Sequence, residues 1–106
     1  YHGITLWGTL MIVKRLNKHY LDLLNKYNSN PNVFIYLIES GSQHILKVHF
    51  GANIFCLSVD DRSFRYKYTH NYFSKPGKYN TITGLSLDNL ATKMKNEIAR
   101  RVRVGG

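Results

Sequence analysis

The sequence predicts a single α+β domain in the order α-β-β-β-β-α, a four-stranded antiparallel meander with one helix before it and one after it. Three observations predict this. Apolar residues recur at helical spacing near both ends of the chain. Between them lie short β-prone runs punctuated by turn residues. The length of 106 residues fits one small domain.

Over residues 10–27, Val13, Leu16, Tyr20, Leu24 and Tyr27 form one apolar stripe, with Ile12 and Leu23 at its edge. Lys14, Arg15, Lys18 and Lys26 fall outside it. The polar run 28–32, with Pro31, stops the helix. Residues 1–9 read as an extension or an extra strand.

Residues 33–38 are a continuous β-prone run and read as a strand covered on both faces. Gly41 marks a turn. In the strand 44–50, Leu46, Val48 and Phe50 share one face, and Lys47 and His49 the other. A turn at 51–53, a strand at 54–59, a tight turn at 60–62 and a long strand at 63–72 complete the meander.

Residues 74–78 read as a loop around Pro76-Gly77, and Gly84 ends the connector. Ser86 is the expected helix N-cap, with Leu85 and Leu90 as a hydrophobic staple. Leu87, Leu90, Ala91, Met94, Ile98 and Val102 form the second stripe, opposite Asn89, Lys93, Asn96, Arg100 and Arg103. Residues 104–106 read as a flexible tail. Two helices would cover one face of the sheet. The other face would meet solvent, a partner, or the segment 4–10.

The 15 Lys and Arg outnumber the 6 Asp and Glu, giving a net charge of +9. A small domain so unbalanced is attracted to polyanions, which points to RNA or DNA as partner and to an acidic protein as the alternative. In the alternative the chain is a protein-interaction module, an accessory subunit or inhibitor. An exposed sheet edge would also allow a homodimer. No apolar run has the length of a membrane span, so no membrane partner is expected. The single cysteine, Cys56, sits in an apolar run and cannot form an internal disulfide. Such usage fits a reducing compartment, cytoplasmic or, in a eukaryote, nuclear. The Asn, Lys, Ile and Tyr content fits an AT-rich genome such as that of a phage or a mobile element.

The stretch 62–79 carries the functional expectation. From residue 62 to residue 87 there is no acid. Phe64, Tyr66, Tyr68, His70 and Tyr72 alternate with Arg65, Lys67, Thr69 and Asn71. Aromatic rings stack on bases and cations meet phosphates. The expected phosphate contacts are Arg62, Arg65, Lys67, Lys75, Lys78, Lys93, Arg100 and Arg103. The candidate stackers are Tyr66, Tyr68 and Tyr72. If those rings instead face the helices, they are core, and only the cations of the strand remain outside. Lys95 and Arg101 flank the basic face of the last helix.

Catalysis is not expected, and neither is a cofactor or a metal. His44 and His49 point to opposite faces, and His2, His19 and His70 have no Cys or carboxylate at ligand spacing. Asp60 and Asp61 are adjacent turn residues, not a paired-carboxylate site. A metal-free ribonuclease could draw on Arg65, Lys67, Tyr68 and His70, but alternation divides them between two faces. The terminal diglycine looks like the end of a ubiquitin-like modifier, but it follows a helix rather than a strand.

The segment Glu39-Ser40-Gly41-Ser42-Gln43-His44 and the Gly84-x-Ser86 opening of a final helix containing Ala91 resemble double-stranded RNA-binding domains. The resemblance implies that Ser42 and His44 sit on a loop entering the RNA minor groove. Leu87 and Asp88 stand where that family carries paired lysines, and the span 44–84 has room for an extra strand.

Overall fold

A computed structural model describes residues 2–68 and 78–105, with side chains described over 14–68 and 78–105. The elements are α1 (His2–Tyr27), β1 (Val33–Ser40), β2 (Gln43–Phe50), β3 (Asn53–Ser58), β4 (Ser63–Lys67), β5 (Asn80–Ile82) and α2 (Leu87–Val104). Among the described residues the architecture is α+β, with two helices and one antiparallel sheet. The sheet has five strands rather than four, in the order β1-β2-β3-β4-β5.

The hairpins follow from local chemistry. The pairs Ser40↔Gln43 and Phe50↔Asn53 close two-residue turns, and Gly41 and Gly51 supply the positive φ of 60° that such turns need. The extra strand, β5, pairs Phe64↔Ile82, Arg65↔Thr81 and Tyr66↔Asn80. The expected strand 63–72 ends as β4 at Lys67, and residues 69–72 lie outside the described part.

Three expectations are corrected. Residues from His2 onward belong to α1, so 2–9 supply no strand, and the segment 4–10 continues the helix instead of crossing the sheet. Val104 belongs to α2, and Gly105 caps it in the left-handed conformation, donating to the carbonyls of Arg101 and Val102. The run 33–38 is covered on one face only: Phe34, Tyr36 and Ile38 are exposed. At the start of α2, Ser86 is the N-cap and accepts a hydrogen bond from the Asn89 amide, an interaction worth about 1 kcal/mol.

The core lies between the sheet and the helices. Leu16, Leu23 and Tyr27 of α1 and Leu87, Leu90, Ala91, Met94 and Ile98 of α2 meet Leu46, Val48, Phe55, Leu57 and Phe64 of the sheet. α1 lies over β1 and β2, and α2 chiefly over β3 and β4. A polar clasp joins the helices. His19 donates from Nε2 to Asp88 at 3.0 Å, while Lys95 donates to His19 Nδ1 at 3.0 Å and to Asp22 at 3.1 Å. These hydrogen bonds hold the Asp22 and Asp88 carboxyls below their ordinary range, against a smaller opposing effect of burial.

Candidate nucleic-acid interface on the open sheet face

Both helices pack on the same side of the sheet. The strand pairings therefore define what the other side presents. One row across the sheet runs Phe34, His49, Ile54, Lys67, and the next runs Tyr36, Lys47, Cys56, Arg65, Thr81. Ile38, Ile45, Ser58 and Ser63 form a third. No acid occurs in these rows. Phe34 and Tyr36 are 53% and 47% exposed, a degree that leaves their rings available for contact.

The details favour a neutral aromatic surface set among fixed cations. The His49 ring meets the Tyr36 ring edge-on at 5.7 Å. Burial, and then the Lys47 charge, push the His49 imidazole below its ordinary pKa, so at pH 7 it is a neutral ring. Burial pushes the Cys56 thiol up, with the surrounding cations opposing, so the residue presents a thiol rather than a reactive thiolate. The Lys67 ammonium lies 4.7 Å from the center of the Tyr79 ring, which extends the aromatic surface past β4.

The expected site residues divide between the two sides of the molecule. Arg65 and Lys67 stand on the open face. Lys78 is exposed just before β5. Arg62 is exposed in the β3–β4 turn at φ 50°, beside a cleft of about 410 Å³ that Arg15 and Asp60 also line. Lys93, Arg100 and Arg103 are exposed on α2, on the helix layer and not beside Arg65. Lys75, Tyr72 and His70 lie outside the described residues.

Tyr66 and Tyr68 are not on the open face. Register places Tyr66 opposite Phe55, which is fully buried, and stacks its ring on Phe64 at 5.0 Å. The Tyr68 hydroxyl donates to Glu97 and accepts from Arg100 at 3.3 Å, and Arg101 lies 4.3 Å above its ring. Burial and then the hydrogen bond to Glu97 push the Tyr68 phenol up to about 12. Burial raises the Glu97 carboxyl, but the hydrogen bonds from Tyr68 and Arg100 and the nearby guanidinium charges outweigh it and leave the group below its ordinary value. Arg100 is thus already paired with Glu97, at 2.9 Å. The two tyrosines serve as core and as a strut between sheet and helix. Of the groups named for a ribonuclease, the described Arg65 and Lys67 face away from Tyr68.

Two contacts link the basic end of α2 to the open face. Tyr68, which holds Arg100 and Arg101, directly follows Lys67. Gly105 at the end of α2 lines a shallow depression of about 220 Å³ with Phe34, Phe50 and Gly51. The last turn of α2 therefore adjoins the Phe34–Lys67 end of the sheet.

Sequence reasoning missed Phe34, Tyr36, Lys47 and His49 as site residues. A signal was present: in β1 the aliphatic Val33, Ile35 and Leu37 alternate with the aromatic Phe34 and Tyr36. His44, which the resemblance to RNA-binding domains would place in a groove-reading loop, is tied to Asp60 through its amide and, at 3.5 Å, its ring. Among the described residues no group of three His, Cys, Asp or Glu could hold a metal, and no helix is long and apolar enough to cross a membrane. No protein-family model, curated protein or solved structure matches this chain.

Proposed function

We propose that the protein is a non-enzymatic nucleic-acid-binding domain that takes single-stranded or looped RNA or DNA on the open face of its sheet. The observation that carries this is a pair of acid-free rows across the open face, in which exposed Phe34 and Tyr36 on β1 share their rows with Lys47 on β2 and with Arg65 and Lys67 on β4. Rings of this kind stack on unpaired bases whatever the sequence, while the cations follow the backbone. The cations at the end of α2, with Arg103 outermost, continue the track.

Binding is expected to weaken with salt. Lys47, Arg65 and Lys67 alone give a log–log slope of about −2 for a single strand, or roughly a twentyfold loss between 50 and 200 mM salt. Replacing Arg65 and Lys67 with Gln should flatten the slope by about 1.4. Fluorescence anisotropy with labelled oligonucleotides reads both quantities. Absence of binding to any single- or double-stranded RNA or DNA at 50 mM salt would end this reading.

His49 adds a pH dependence. Its folded pKa lies below 6.5, so it gains its proton only as pH falls through the region under that value. A bound phosphate favors the charged ring, so affinity should rise from pH 7.5 to pH 5.5. His49→Gln should lose that rise and keep the affinity measured at pH 7.5. An unchanged pH profile in the variant would show that His49 does not contact the ligand.

A further inference from the structure

β1 is an eight-residue edge strand. Its backbone polarity can be derived from the ladder. The Val59 amide donates to the His44 carbonyl at 3.1 Å, so the even-numbered residues of β2 bond toward β3 and the odd-numbered ones toward β1. Their partners Phe34, Tyr36, Ile38 and Ser40 spend their amides and carbonyls on β2. Ile35, Leu37 and Glu39 therefore direct theirs outward from the sheet.

The usual protections of an edge are missing. β1 contains no Lys, Arg, Pro or Gly, although the chain carries +9. Its only charge is Glu39. The strand itself thus sets no cation against a second copy of so basic a chain. Exposed apolar side chains gather there too: Phe34 at 53%, Tyr36 at 47% and Ile38 at 37% on the strand, and Leu21 at 55% on α1. His19 and Asp22 turn toward α2, so the 100° step of a helix puts Leu21 and Leu24 on the opposite flank of α1. That flank overhangs β1.

We propose that two copies of this chain pair antiparallel through their β1 edges, about a two-fold axis at Tyr36. Outward groups on odd-numbered residues require odd to oppose odd, and centring on Tyr36 does this. Ile35 then bonds Leu37 of the other copy, Phe34 meets its Ile38, and the two Tyr36 rings meet each other. Shifting the axis to Leu37 would set Phe34 against Ser40. The helix flanks bearing Leu21 close over the same seam, and the two open faces join into one surface. This inference does not depend on nucleic-acid binding.

Sedimentation equilibrium tests it. The wild-type protein is expected at twice the chain mass of 12.3 kDa. Ile38→Lys and, separately, Leu21→Glu are expected at the monomer mass with unchanged circular dichroism. In a Cys56→Ser background, oxidation should crosslink Tyr36→Cys to itself efficiently and Phe34→Cys poorly, since only Tyr36 faces its own copy. A wild-type monomer at 0.1 mM, or a dimer that both surface variants leave intact, would overturn the proposal. A monomer that still binds oligonucleotides would overturn it without touching the functional reading.

Discussion

Phe64→Ala is expected to lower the unfolding free energy by about 3–5 kcal/mol, a large part of the roughly 5–15 kcal/mol of an ordinary domain. Phe64 is fully buried, lies between Leu57 and Ile82 across the sheet, and stacks on Tyr66 at 25° between ring planes. Its truncation leaves a cavity in the layer between β4 and α2, where close-packed neighbours cannot fully collapse. Urea denaturation should show a fall of roughly 2 M in the midpoint with little change in slope. Phe34→Ala removes the same ring from the opposite face and should cost under about 0.5 kcal/mol. Equal losses from the two variants would mean that the sides of the sheet have been assigned wrongly.

Replacing Phe34 and Tyr36 together with Ala is expected to reduce affinity for a single-stranded oligonucleotide by two rings' worth of stacking. At about 1–3 kcal/mol per base, this is roughly a thirtyfold loss at the least. The salt slope should hardly change, because no cation is removed. Arg65→Gln with Lys67→Gln should do the reverse, flattening the slope. Asn96→Ala, at an exposed residue on the outer side of α2 and away from its last turn, serves as the control. Repeating the comparison in the Ile38→Lys background separates stacking from self-association. Wild-type affinity in the Phe34/Tyr36 double variant would remove the stacking platform from the proposal and leave only its phosphate contacts.

The sequence pattern exposed some of this and hid the rest for identifiable reasons. The Ser86 cap and the stripe from Leu87 to Ile98 were readable because a helix repeats its signal over several turns. β2 was readable because Leu46, Val48 and Phe50 alternate with Lys47 and His49. β5 spans three residues, Asn80–Ile82, too few to establish a period. The start of α1 was obscured by Gly3 and Gly8 in an apolar run. For the aromatic strand, alternation showed that Phe64, Tyr66 and Tyr68 share a face, but not which face the helices cover. That depends on contacts with α2, far along the chain. β1 is apolar at every position from Val33 to Ile38, so hydrophobicity alone carried no information about its open side.

Each strand of the meander pairs with its neighbor in the chain. The first three hairpins therefore close short loops, and little chain entropy opposes them. The helix clasp is different: His19–Asp88, Lys95–Asp22 and Lys95–His19 join residues 69, 73 and 76 positions apart. By logarithmic scaling, closing a loop of that length costs about 2.5 kcal/mol more than closing a four-residue turn. The entropic burden of assembly thus falls on the docking of the last helix against the first, and a histidine held between an ammonium and a carboxylate is the latch at that junction.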